Sequence, residues 1–164
     1  MSGGVEVGEA EVEYPTGKEL ARLPERAWQD EIVRSVTQEV LATGKAFILG
    51  GDLNVVPTER DIYDHRQYAS LGGLSPTERR GFQHLLRCGL TDVMRAWNPL
   101  ARIYTFYSYQ EYNARRRNAG WRLDYWLVSD AVRAAVRGVY AKKSITGSDH
   151  VPIGLWVDCD TVIG

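Results

Sequence analysis

The chain has 164 residues, 44% of them hydrophobic and 25% charged, with a net charge of −1. That length and balance suit one globular domain whose core needs no disulfide or metal staples. No apolar run approaches the roughly 20 residues of a membrane span, and the opening MSGGVEVGEAEVEYP lacks the basic start and apolar stretch of a secretory signal.

In chain order, Val5 to Tyr14 alternates apolar and polar residues and predicts a strand with one exposed face. Helical spacing follows from about Glu25 to Ala42, where Trp28, Ile32, Val33, Val36, Val40 and Leu41 recur at steps of three, four and one. Gly44 is the expected stop for that helix. Lys45 to Gly50 is almost wholly apolar and predicts a strand covered on both faces, which the chain leaves at Gly50-Gly51-Asp52. A polar loop runs from about Pro57 to Leu74. Ser75-Pro76-Thr77-Glu78 then starts a helix, with Ser75 as N-cap, Pro76 in the first turn and Glu78 closing a capping box. Phe82, Leu85 and Leu86 form its apolar stripe.

Tyr104 to Tyr109 and Trp121 to Val128 read as strands joined by an arginine-rich loop. Ser129 or Asp130 caps a short helix through about Arg137, and last strands fall near Gly138–Tyr140 and Pro152–Val157. Helices and strands interleave, so the class is α/β or α+β with a layered sheet.

Charge is unevenly spread. Residues 1–31 hold eight acids against three bases, whereas residues 76–122 hold nine arginines against Glu78, Asp92 and Glu111. A basic block in a neutral chain is the pattern of a polyanion-binding face. The two cysteines, Cys88 and Cys159, lack CxxC spacing and predict neither a zinc nor a redox site. Unpaired thiols fit a reducing, intracellular compartment.

Three segments place acids at the ends of predicted strands: Asp52-Leu53-Asn54, Arg122-Leu123-Asp124-Tyr125 and Ser148-Asp149-His150. Asp and Asn are common in turns for local reasons. Asp124 is different, because it lies inside the apolar run LDYWLV, where an unpaired carboxylate costs several kcal/mol. It needs a partner, and His150 is the candidate, since an Asp–His pair satisfies both groups and sets the imidazole tautomer. Acids, an amide and a histidine together suit phosphodiester hydrolysis. Carboxylate oxygens suit Mg²⁺ or Mn²⁺, and a polarised histidine stabilises the charge of the transition state.

The segments GGDLNVVPTERDIYD, LSPTERRGFQHLL, YTFYSY, NARRRNAGWRLDYWLVS and GSDHVPI resemble consecutive motifs of the exonuclease III / abasic-site endonuclease family, from about Tyr14 to Val157. GWRLDY with NAR just upstream separates the chain from DNase I and inositol phosphatase relatives. The resemblance implies part of a four-layer, DNase I-like α/β sandwich. It implies a Mg²⁺- or Mn²⁺-dependent enzyme of base-excision repair acting on double-stranded DNA at abasic sites or 3′ ends.

By the same resemblance, Asp52 and Asn54 position and activate water, Asp124 pairs with His150 on the scissile phosphate, and Asp149 binds the metal. Phe106, Trp121 and Leu123 form a pocket for a flipped-out abasic sugar. Asn113, Arg115, Arg116, Arg117 and Arg122 engage DNA.

The chain also departs from the family. The family's earlier half supplies an asparagine and a metal-binding glutamate, and neither has a match here. Gln38-Glu39 falls mid-helix, and Glu13 stands where the family has a tyrosine, with Tyr14 one step off. These departures imply residues 1–12 as a leader without family counterpart and residues 13–164 as a C-terminal portion. They further imply weak metal binding and a sheet face covered by a partner chain or a dimer. An alternative expectation is a catalytically inactive remnant that still binds DNA.

Overall fold

The computed structural model describes residues 25–64 and 74–163. The strand expected at Val5–Tyr14, the leader and Tyr14 lie outside the described residues. The elements are α1 (Glu25–Ala42), β1 (Ile48–Asp52), a tight helical turn at Glu59–Asp61, α2 (Pro76–Arg87), β2 (Leu90–Asp92) and α3 (Val93–Trp97). They continue with α4 (Ala114–Arg117), β3 (Asp124–Ser129), α5 (Asp130–Arg133), β4 (Val136–Ala141), β5 (Ile153–Val157) and α6 (Cys159–Ile163). Strands β1, β3 and β2 form an antiparallel sheet with β3 in the middle, and β4 and β5 form a separate antiparallel pair. The class is α+β.

Strand β3 organises the core through its period-two alternation. Tyr125 and Leu127 point to one side and pack with Val55, Phe82, Leu85 and Leu90, against which Val33 and Leu41 of α1 also rest. Val128 points the other way, to Val93, Val132 and Val136, with Val139, Leu155 and Val157 of the β4–β5 pair beside them. The sheet thus lies between the helices α1 and α2 and the β4–β5 pair. Each buried aliphatic or aromatic side chain in these clusters contributes roughly 1.5–3 kcal/mol of transfer free energy.

Local chemistry set several boundaries as expected. α1 has the predicted limits, and Gly44 follows it at φ 70, the left-handed stop. Ser75 and Glu78 form the reciprocal capping box of α2, with Pro76 in the first turn. Phe82 and Leu85 are buried and Leu86 is partly so.

Other expectations are corrected. β1 starts at Ile48 and stays in the sheet through Asp52, and among the described residues it is an edge strand, largely exposed. Ile48 is 41% exposed because β1 has a neighbour on one side alone among the described residues. The segment 104–109 is not a strand. Its backbone makes single bridges at Phe106, to Trp121 and His150, instead of a ladder. The helix after Ser129 ends at Arg133, since β4 already begins at Val136. β2 and α3 had no period long enough to be read in sequence.

The most demanding core residue is Arg122, 1% exposed. Its Nε donates to Asp61 Oδ1 at 2.7 Å, and its Nη1 donates to Asp92 Oδ1 and Oδ2 at 3.0 and 2.7 Å. Arg95 Nη2 donates to Asp61 Oδ1 at 2.5 Å, and the Tyr125 ring lies 4.5 Å from the Arg122 guanidinium. Two cations thus meet two anions, and Asp92 also caps α3 by accepting from Arg95 N. Arg122, expected from sequence to engage DNA, lies instead in the core, where its Nε and Nη1 donate to Asp61 and Asp92. Burial alone would push the Asp61 carboxyl up. The Arg122 charge, with hydrogen bonds from Arg122, Thr58 and Arg95, outweighs burial and holds it below the usual range.

Removing one partner leaves a buried charge uncompensated, at about 3–5 kcal/mol. Asp61→Asn should therefore lower the urea midpoint by that much stability at neutral pH. A carboxyl with a lowered folded-state value stabilises above its ordinary value of 3.8, and loses that contribution as pH falls through the folded one. Asp61→Asn should correspondingly flatten the acid limb of the stability profile, measured by urea unfolding across acidic pH.

Candidate active site

Antiparallel pairing of β1 with β3 sets Asp52, the last residue of one, opposite Asp124, the first of the other. The register alone brings two acids from distant parts of the chain to one sheet end. Beyond Asp52 the chain turns sharply. Asp52 Oδ1 accepts from Asn54 N at 2.8 Å and Oδ2 accepts from Asn54 Nδ2 at 3.1 Å. Asn54 has φ 50, a left-handed conformation that asparagine tolerates better than most residues.

The third component comes from residues 148–150. His150 is bridged to Phe106 and its Nδ1 lies 2.9 Å from Asp124 Oδ2. An ionised carboxylate only accepts, so Nδ1–H donates and Nε2 faces outward, 3.9 Å from Asp52 Oδ2. The expected Asp124–His150 pair is present in this geometry. Asp124 is further held by Thr105, fully buried, whose Oγ1 accepts from both Leu123 N and Asp124 N at 3.0 Å. Sequence reading missed Thr105 because a hydroxyl in an aromatic run carries no pattern of its own.

Burial raises the Asp52 carboxyl above its usual range, and the nearby Asp124 charge adds to this. The Asn54 backbone N–H and side chain and the His150 ring act in the opposite direction. A carboxylate so placed is a better proton acceptor than a solvated one.

Beside the histidine stands an apolar wall. The Phe106 ring lies 5.1 Å from the His150 ring and 6.3 Å from Trp121, edge to face at 78°. Leu123, Val56, Ile62 and Leu74 are buried behind it. The three pocket residues expected from sequence therefore cluster, although Leu123 is 6% exposed and forms the floor more than the rim. Gly120 permits the approach, since a Cβ there would meet Phe106 O at 2.6 Å and the Tyr107 ring at 2.7 Å. On the other side of the pair a cleft of about 390 Å³ opens, bounded by Asp124, His150, Ser148 and Ile145.

The basic residues divide. Arg116 and Arg117 are exposed on α4, the short turn between left-handed Asn113 and Asn118. Arg117 pairs with Glu111 at 3.1 Å. Arg115 turns its guanidinium back onto the chain, toward Ile145 O at 2.6 Å and Ser148 O at 2.8 Å. Asp149 is fastened by its backbone, its carbonyl accepting from Tyr107 N at 2.8 Å.

Among the described residues, no three His, Cys, Asp or Glu side chains converge to form a metal cage. Cys88 does have a histidine neighbour, His84 Nε2 at 3.4 Å, with no third such ligand among those residues. Mg²⁺ differs from zinc in keeping several waters and taking one or two carboxylates plus substrate phosphate. The Asp149 carboxylate, next to His150 in the chain, fits that demand in chemistry and number. Among the described residues, no helix is long and apolar enough to cross a membrane.

Comparison with known proteins gives the family. The sequence profile of the Endonuclease/Exonuclease/phosphatase family matches residues 4–150. The chain is 40% identical to the DNA repair nuclease of Danio rerio over 114 residues, 69% of this chain and 36% of that protein. It is 34% identical to the exodeoxyribonuclease of Bacillus subtilis over 140 residues, 85% of this chain and 55% of that one. A solved structure of a 3′ phosphatase from Neisseria, bound to product DNA hairpin, aligns at TM-score 0.71 and 31% identity, covering 81% of this chain and 51% of the other. The chain thus spans about a third to a half of the length of these relatives. With the profile matched over most of its length, on an α+β fold with Asp52, Asp124 and His150 at one sheet end, the chain belongs to the Endonuclease/Exonuclease/phosphatase family.

Proposed function

We propose that this chain serves metal-dependent hydrolysis of DNA phosphodiesters, beside abasic sites or at 3′ ends, in repair of DNA inside the cell. The observation that carries the reading is the His150 ring standing between Asp124 and Asp52. In this arrangement Asp52 accepts the proton of the attacking water, and Asn54 holds its carboxylate in place. Asp124 orients the imidazole, and in the imidazolium form Nε2–H donates to a non-bridging phosphate oxygen, where negative charge grows. When bound, Mg²⁺ or Mn²⁺ would supply positive charge to the phosphate and the leaving oxygen, and Asp149 is the carboxylate suited to hold it.

The wall of Phe106, Trp121 and Leu123 suits a sugar that has lost its base. Such a nucleotide has little stacking to surrender on leaving the duplex. Asn113, Arg116 and Arg117 present polar and positive groups near this wall in sequence, and phosphate contacts there set register on the duplex. On this reading the exposed edge of β1 is covered by a partner chain or by a second copy.

A second reading, DNA binding without cleavage, rests on the exposed Arg116 and Arg117 of α4, whose contacts with a polyanion need no metal. The two part on a labelled duplex carrying one abasic-site analogue. With Mg²⁺ the chain should nick it, and EDTA should stop the reaction. Asp52→Ala should reduce the rate by about 10²–10⁴, and His150→Ala by about 10²–10³, both with duplex affinity nearly unchanged. Tight binding by the wild type without nicking would establish the second reading instead.

Arg116→Ala and Arg117→Ala should each reduce the slope of log affinity against log salt by about 0.9 on duplex DNA. Slopes equal to the wild type would remove α4 from the DNA face.

A further inference from the structure

The loop joining β4 to β5, residues 142–152, carries His150 and is largely solvent-exposed from Lys142 to Ser148. Its own backbone bonding is sparse. Lys142 N donates to Pro152 O at 2.9 Å and Ile145 N donates to Lys142 O at 3.1 Å, while Gly147 sits at φ 108. A segment so built has no internal reason to hold His150 against Asp124. Its main anchors come from the segment 105–118 instead, where Thr105 O accepts from Val151 N at 2.6 Å.

Arg115 supplies most of them. Its Nη1 donates to Ile145 O at 2.6 Å and, more weakly, to Lys143 O at 3.4 Å. Its Nη2 donates to Ser148 O at 2.8 Å and reaches His150 O at 3.5 Å. The guanidinium also lies 5.5 Å from the Tyr107 ring, while Tyr107 N donates to Asp149 O at 2.8 Å. At the far end Asn118 Oδ1 accepts from Lys143 Nζ at 2.5 Å and from Tyr107 OH at 2.9 Å. Four carbonyls of one loop thus face one guanidinium, and two of them make short bonds. A planar fork of five donors can span this set; the three donors of an ammonium radiate from one point.

We propose that Arg115 is a positioning residue: it locks the 143–150 loop so that His150 stays seated on Asp124, and it is not a phosphate contact. Of the three consecutive arginines, Arg116 and Arg117 serve the polyanion and Arg115 serves the loop. The lock itself stands on the contacts alone. Its kinetic consequence rests on the nuclease reading above.

The test combines amide hydrogen exchange with duplex binding and cleavage, on wild type, Arg115→Lys, Arg115→Ala and Arg116→Ala. Arg115→Lys keeps the charge and protects the test against a folding defect. In both Arg115 variants, exchange at the hydrogen-bonded amides of Ile145, His150 and Val151 should rise about tenfold or more, with exchange in β3 unchanged. The salt slope of duplex binding should stay at the wild-type value in Arg115→Lys, and kcat should fall by about 10–100-fold with KM within about twofold. Arg116→Ala should do the reverse, lowering the salt slope by about 0.9 and leaving loop exchange alone. Wild-type loop exchange in Arg115→Lys and Arg115→Ala overturns the proposal. So does a salt slope in Arg115→Ala that falls as in Arg116→Ala while the loop stays protected. If the wild type cuts no DNA, the nuclease reading fails, and the exchange measurements still decide the lock.

Discussion

An arginine side chain with almost no solvent exposure sits at the junction of four segments of this chain. Arg122 lies between Asp61 from the loop after β1 and Asp92 from the end of β2, with Arg95 of α3 completing the balance of charge. A buried guanidinium tolerates few arrangements of its neighbours, because any donor left unpaired costs more than a poorly packed methyl group would. Its backbone is tied as well, Arg122 N donating to Asp61 O at 2.7 Å. Two residues later comes Asp124. The ionic cluster therefore limits where the start of β3 can lie, and with it the first carboxylate of the site.

The rest of the site follows from that placement. β1 pairs with β3 in one register, so Asp52 falls opposite Asp124; a slip by one residue would turn Asp124 to the other face. Thr105 satisfies the two backbone N–H groups at the strand's entry, and its neighbour Phe106 bridges both Trp121 and His150. The apolar wall and the charged pair are thus built on the same short segment. This explains how a stretch of aromatic residues without a ladder is nevertheless held firmly: Tyr104, Thr105 and Tyr107 are buried, and their neighbours supply the hydrogen bonds a sheet would have given.

The arginines show how little residue type says about role. Arg122 is a core ion, Arg115 is bonded to loop carbonyls, and Arg116 and Arg117 stand in solvent, although the last three are consecutive. A helical turn of four residues sends successive side chains about 100° apart, so neighbours cannot share a direction. A count of basic residues over 76–122 therefore overstates the positive surface.

What the sequence determined by itself was local or chemical in origin. The limits of α1, the capping box of α2 and the last two strands follow from spacing and end chemistry that act within a few residues. The need of Asp124 for a partner follows from the cost of a lone carboxylate in an apolar run, and His150 was the fitting group. The short β2 and α3 carry too few residues to show a period. The apolar run at 45–50 gave no sign that its strand lies at an edge among the described residues, because burial depends on what packs alongside. Above all, whether an arginine meets an aspartate or a solvent-facing anion is decided by segments tens of residues apart. Asp61, Asp92 and Arg122 find each other only when the sheet has brought their elements together, and that is why the tertiary structure alone separates the arginines that hold the fold from those left at its surface.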